Sequence, residues 1–353
     1  MFKILSLLLL TTTTSWAADN GGLKISAAAD MLYEQGINKS STAKEKLEMR
    51  SAELTFYAPI DHNFNGVISV ASHDHEGSNN FELHELYIEN TSLIPRSTFK
   101  VGKFFLGIGR LNRFHRHDWF FTNAPIVNEN FFAEEAAFDS GIEYNYLLPT
   151  EAIFNLTLGL TIGDDFSHEH DHDEDDAGHD HDSEKAKYPT HYLRFSHFKE
   201  FSATKGMETG INFLRKKNAH GEEQLFAGVD YLLKNRVGKT NTFILQSEIW
   251  FRESEEDHVK TEELGAYLFN EYSVFENSAL GVRLDFLKNL TSNNDQVDYG
   301  ITGQYTYNSS EYAKIRTSVT HEFSRHFANT VSKDTKAMLQ LVFILGSHPA
   351  HVF

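Results

Sequence analysis

The sequence predicts an all-β fold, a transmembrane antiparallel β-barrel of about sixteen strands with no plug domain. Three observations lead there. Stretches of roughly ten residues, apolar on one face and polar on the other, recur along most of the chain, as strands between lipid and an aqueous lumen require. Phe and Tyr are plentiful, 29 and 14 of 353 residues, and Pro is scarce at 6, which favours strands over helices. Connections alternate between brief turns and longer loops, as in a barrel whose two rims face different compartments.

The chain opens MFKILSLLLLTTTTSWAADN. Lys3, an apolar core over residues 4–10 and small residues at Ser15, Ala17 and Ala18 read as a secretory signal peptide, expected at 1–17, with the barrel over 18–353. Elsewhere no apolar run reaches the length of a membrane-spanning helix, so the mature chain is either soluble or a barrel. Alternation starts at Leu23, with Ile25, Ala27, Ala29, Met31 and Tyr33 on one face and Lys24, Ser26 and Asp30 on the other. A second, less regular strand ends near Ala58, and Pro59 opens a turn. Residues 66–75 set Ile68 and Val70 against Ser69, Ala71, His73 and His75. Residues 81–89 form a fourth strand with no clearly apolar face, and Phe99 and Val101 lead a fifth.

Alternation stops over residues 106–137. It resumes with Phe138, Ile142, Tyr144, Tyr146 and Leu148, turns at Pro149, and continues through Phe154, Leu156, Leu158, Leu160 and Ile162. After an acidic interruption over 164–188, strands are expected near 190–198, 206–215, 224–233, 242–252, 264–272, 279–288, 297–307, 312–323 and 336–345. Connections near Asp61, Pro95, Thr150, Ala203, Gly238, Asn277 and Ser309 are short, whereas 38–46, 106–137, 164–188, 253–260 and 325–334 are long. The long ones fall on alternate connections, which places both large insertions on the outer rim. Sixteen strands enclose an aqueous channel, and the length leaves no room for the larger, plugged barrels.

Cysteine is absent, so any metal must be held by His, Asp or Glu. A net charge of −18 excludes phosphate-neutralising binding to nucleic acid. Eight acidic residues lie between 168 and 182, interleaved with His168, His170, His172, His179 and His181. Such a run repels itself and buries nothing, so it is expected as a solvated loop. Its imidazoles, with carboxylates such as Asp171, Asp173 and Asp180, suit zinc and similar ions, collected loosely because nothing fixes their geometry.

The other insertion, 106–137, is too apolar for solvent, with Phe114, Trp119, Phe120, Phe121, Phe131 and Phe132. It is expected to pack inside the barrel or on its rim. His115, His117 and Asp118 are then candidate metal ligands, the two histidines sharing a face if the segment is extended. Glu129, Glu134, Glu135, His73 and His75 are candidate pore-lining residues. Arg110, Arg113 and Arg116 could pair with these acids or present an anion-friendly face.

The segment GIGRLNRFHRHDWFFTNAPIVNENFFAEEAAFDSGIEYNYLLP, the closing LVFILGSHPAHVF and the His/Asp run resemble bacterial zinc-regulated outer-membrane receptors, over about a fifth of the chain. The final Phe353 resembles the terminal aromatic by which outer-membrane barrels are recognised. The resemblance implies zinc uptake across a bacterial outer membrane, with zinc as the transported or loosely bound ion. In architecture the chain is similar to simple porins, including phosphate-selective ones. The expectation is a porin-like outer-membrane channel for divalent ions, its His-rich loop collecting them, in contact with membrane lipid and able to form a homotrimer. The alternative is a general or anion-selective porin with an incidental His-rich loop. No enzyme is expected, because no nucleophile motif or complete metallohydrolase ligand set is present.

Overall fold

The computed structural model describes residues 22–38, 45–75, 78–132, 135–163, 188–218, 220–237, 241–256, 258–291, 296–325 and 331–347, without the side chains of 74–80 and 237. The expected signal peptide, the whole His-rich run, Glu134 and Phe353 lie outside these residues.

Sixteen antiparallel strands form a closed barrel in which each pairs with its sequence neighbours and the first closes on the last. In order they are β1 (Lys24–Gly36), β2 (Lys46–Pro59), β3 (Phe64–His75), β4 (Ser78–Asn90), β5 (Ser97–Phe105), β6 (Phe138–Leu147), β7 (Ile153–Thr161), β8 (Thr190–Ser202), β9 (Lys205–Lys217), β10 (Glu223–Val237), β11 (Asn241–Glu256), β12 (Val259–Phe275), β13 (Ser278–Asn289), β14 (Val297–Ser310), β15 (Ala313–Arg325) and β16 (Val331–Gly346).

The burial pattern is the reverse of a soluble protein's. On β13 the apolar Leu280, Val282 and Leu284 are exposed, while Arg283 and Asp285, alternating with them, are buried. The same inversion on β14 exposes Tyr299, Ile301 and Tyr305 and buries Thr302, Gln304 and Thr306. An apolar outer face around a polar interior is what a hydrocarbon solvent demands. Closure also leaves no strand edge unpaired, the condition for crossing a membrane with strands.

Two β-bulges account for the strands whose alternation was hard to read. In the pairing of β1 with β2, Asp30 faces Ser51 and Met31 faces Met49, leaving Arg50 as the extra residue. In the pairing of β3 with β4, Ser69 faces Glu85 and Val70 faces Leu83, leaving His84 over. A bulge shifts the inward phase by one residue. Arg50 and Ser51 therefore both point inward, as do His84 and Glu85, and all four are buried.

Several expected boundaries move. The loop expected at 253–260 is mostly strand, since β11 runs to Glu256 and β12 starts at Val259. Likewise β16 begins at Val331, well before 336. Beyond the membrane the lipid-facing side need not be apolar, so alternation fades there while pairing continues. Cross-strand pairs such as Arg252–Glu263 and Lys260–Glu253 support these polar extensions. The outer connections are also unequal, with β3 ending at His75 and β4 starting at Ser78.

The described residues of 106–137 fold into the barrel, through 3-10 turns at Leu111–Arg113 and Arg116–Asp118 and a short helix α1 (Ile126–Phe132). Their apolar side chains build the main core. Phe132 packs on Trp250 and Phe226, and Phe121 packs edge-on against Tyr267 and Phe269.

Candidate functional site

The inward loop is tied to the wall at many points around the lumen. On β11, Glu248 accepts the backbone N–H of Arg110 at 3.1 Å and of Leu111 at 2.6 Å. On β9, Asn212 accepts the N–H of Gly109, and on β6 Glu143 accepts that of Gly107. Arg283 on β13 donates to the carbonyls of Asn123 and Ala124, and Arg316 on β15 to those of Trp119 and Phe121. Arg50 on β2 donates to the Thr122 carbonyl at 2.7 Å. Irregular backbone inside the barrel has few partners of its own, and the wall's charged side chains supply them. Each such arginine is also matched by a carboxylate or amide of the wall: Asp30 for Arg50, Asp285 for Arg283 and Gln340 for Arg316.

A second charged zone lies where the loop meets β8–β10. Arg110 and Arg113 donate to Glu208, and Arg194 bridges Glu208 and Asp230. Three arginines here share two carboxylates.

Elsewhere His115 and His117 of the loop join His73 of β3 and His84 of β4 in a column of four histidines. His73 and His84 stack with centroids 4.9 Å apart, His84 and His115 at 6.4 Å, and His115 and His117 at 5.5 Å. Carboxylates flank the column. His115 Nδ1 is 2.9 Å from Glu53 Oε2 and its Nε2 3.1 Å from Glu85 Oε2. His84 Nε2 is 3.5 Å from Glu135, His73 Nδ1 is 3.4 Å from it, and Arg116 Nε lies 3.5 Å away as well. His117 Nε2 is 3.4 Å from Asp118.

Burial alone would hold His115 neutral, but the charge and hydrogen bonds of Glu53, joined by Glu85, raise it well above the ordinary histidine range. His117 goes the other way, because burial outweighs Asp118 and Glu53. Burial would also raise Glu135, yet Arg116, His73 and His84 hold its carboxyl below the usual range. The same surroundings thus shift two neighbouring imidazoles in opposite directions.

Of the residues singled out from sequence, His73, His115, His117, Asp118 and Glu135 are brought together here. Between His115 and Asp118 the chain makes a 3-10 turn rather than an extended segment. Among the described residues, ligand-atom groups tight enough for one ion comprise Glu53, His84 and His115, or His73, His84 and Glu135, without His117 or Asp118. Glu129 sits exposed on α1 and belongs to neither group. His75 ends β3, its side chain outside the described set, and Glu134, His168, His170, His172, His179, His181, Asp171, Asp173 and Asp180 fall outside it too. Sequence reasoning missed His84, Glu53 and Glu85. The signal for them was the broken alternation of β2 and β4, which marks the bulges.

No family model matches the chain. Among solved structures, the outer-membrane protein OmpT of Vibrio cholerae in its trimer form is similar over 93% of this chain and 100% of its own, with TM-score 0.62 and 9% identity. An anion-selective porin from Comamonas acidovorans covers 92% and 100%, with TM-score 0.63 and 9% identity. The outer-membrane channel DcaP of Acinetobacter baumannii covers 92% and 96%, with TM-score 0.61 and 10% identity. At such identities the likeness is one of fold. An uncharacterized protein of Aquifex aeolicus is 34% identical over 119 residues, 34% of this chain and 24% of its own, so this chain spans about a quarter of the relative it matches.

Proposed function

We propose that this chain is a passive, porin-like channel of a bacterial outer membrane, passing small hydrophilic solutes through a lumen narrowed by residues 106–137. The observation that carries the reading is the inward loop itself, bonded from within to the walls of β2, β6, β9, β11, β13 and β15. Around it the carboxylates Asp30, Glu208, Asp230 and Asp285 are each taken up by arginines, Arg50, Arg110, Arg194 and Arg283, which argues against a strong cation preference. The general or anion-selective porin therefore leads, and similarity to an anion-selective porin and to an outer-membrane channel supports it. Assembly as a homotrimer fits the trimer form of one of them.

Uptake of zinc-class ions is the second reading, favoured by the histidine column and by the five histidines of the outer run. Single-channel recording in planar bilayers tests both. Stepwise conductance with a reversal potential near zero in a salt gradient supports the general channel. A strong cation preference that disappears when residues 168–182 are deleted supports zinc collection. A silent bilayer rules out a channel.

A further inference from the structure

A void of about 10 Å³, room for one water molecule or ion, is enclosed between wall and loop by Glu53, His84, His115, Arg116, His117 and Glu135 with neighbouring Ser51, Phe105 and Phe114. Within it, Glu53, His84 and His115 offer three ligand atoms that all lie within 4.8 Å of one another.

The hydrogen bonds around these three leave one atom of each for the void. Glu53 Oε1 accepts Thr55 and Ser69 hydroxyls, each at 2.9 Å, so Oε2 faces His115. His115 holds Glu85 through Nε2 and can turn Nδ1 to an ion. His73 Nδ1 faces the Arg50 carbonyl at 3.1 Å, which can only accept, so a neutral His73 carries its proton there and presents a lone pair at Nε2. His84 Nε2–H then donates to that lone pair across 2.8 Å. This leaves His84 Nδ1 as a bare lone pair, a buried atom with no hydrogen-bond partner among the described residues. An orphaned buried acceptor beside a small void calls for an occupant.

We propose that Glu53, His84 and His115 bind one divalent ion of the zinc class, with water in the fourth position. Both imidazoles then have the outer partner that metal-binding histidines use: Glu85 behind His115 and His73 behind His84. Zinc bonds of 2.0–2.1 Å in a tetrahedron place ligand atoms about 3.3 Å apart. The 2.9 Å between His115 Nδ1 and Glu53 Oε2 must widen by a few tenths of an ångström. Binding displaces the proton shared by those two atoms, which leaves to solvent. Two imidazoles and a single carboxylate suit zinc, cobalt or nickel over magnesium and calcium, which want oxygen throughout. The competing trio His73, His84 and Glu135 is the weaker site, since His73 does not line the void and Arg116 sets a positive charge on Glu135. Because the ligands come from β2, β4 and the inward loop, the ion would pin the loop to the wall. The site stands whether or not the barrel conducts.

The test uses the full chain refolded in detergent, with His168, His170, His172, His179 and His181 replaced by Ala to remove outer-loop binding, and Co²⁺ as a coloured probe beside Zn²⁺. The expected result is one equivalent of ion per chain, with the intense visible bands of low-coordinate cobalt. Adding Glu53→Gln or His84→Gln should abolish the bands. His73→Ala, which touches no ion, should weaken binding roughly ten- to a hundred-fold while keeping the bands. Heat-dependent gel migration confirms that each variant is a folded barrel. No stoichiometric ion in the outer-histidine variant, or unaltered binding in folded His84→Gln and Glu53→Gln, overturns the site. Bilayer conductance is read separately, so a failed site and a failed channel are told apart.

Discussion

His73 Nε2 lies 2.8 Å from His84 Nε2, and what sets the two rings together is a pair of bulges. His84 is the extra residue of β4. His73, on β3, faces through its other nitrogen the carbonyl of Arg50, the extra residue of β2. Each bulge turns inward a side chain that strict alternation would have sent to lipid. Three adjacent strands thereby supply one polar cluster for the loop to close over.

Arg50 should be a stability determinant. It pairs with the fully buried Asp30, and Gln340 also donates to that carboxylate. Arg50→Ala leaves a buried charge without its counterion, a loss of about 3–5 kcal/mol. Denaturant unfolding in micelles, followed by tryptophan fluorescence, measures it. A cost below about 1 kcal/mol would mean that water reaches Asp30.

Glu248 should control how far the loop closes the lumen. Besides the two loop amides it accepts Trp250 Nε1 at 2.7 Å and Tyr267 Oη at 3.1 Å. Glu248→Ala strips both loop amides of their acceptor, at about 1–3 kcal/mol for each group left buried. Larger single-channel conductance and faster protease cutting within 106–137 are the expected readouts. Wild-type values for both would show that the other anchors suffice.

Gly265 on β12 makes room for α1. A Cβ there would fall within the side chain of Val127. Gly265→Leu should push the helix off the wall, at about 1–3 kcal/mol of overpacking. Because Val127 sits in the main core, the melting temperature should drop, whereas a substitution at the open Gly303 should leave it unchanged. Equal melting of the two variants would refute the close contact.

The turn between β2 and β3 should hold at low pH. Asp61 Oδ1 accepts the N–H of Asn63 at 2.7 Å and of Phe64 at 3.0 Å, and these bonds pull its carboxyl below the ordinary range. With the folded value depressed, its contribution is complete above the unfolded value of about 3.9 and fades as pH falls through the lower folded one. Amide chemical shifts of Asn63 and Phe64 should titrate with a midpoint below that reference. A midpoint at or above it would show that the bonds are not kept in solution.

Most of the barrel could be read residue by residue. Val297, Tyr299, Ile301 and their polar neighbours state a strand with one face to lipid, and the abrupt apolar richness from Phe114 to Phe132 states a loop that cannot remain in solvent. The outer strand ends were read too short, as at 253–260, because lipid no longer enforces alternation there. Glu53 and His84 were overlooked for a related reason. A bulge changes which side chains face inward without changing composition, and it registers in one dimension only as irregularity.

Local periodicity and chain length therefore determined the barrel, its strand count and the inward loop, since each follows from matching side chains to lipid or water one strand at a time. Which residues meet at the site is a property of strand register. His73, His84, Glu53 and His115 converge only once β2, β3 and β4 are paired around their bulges and the loop has folded back upon them. That depends on hydrogen-bond partners separated by up to 62 positions between Glu53 and His115, which no local pattern encodes.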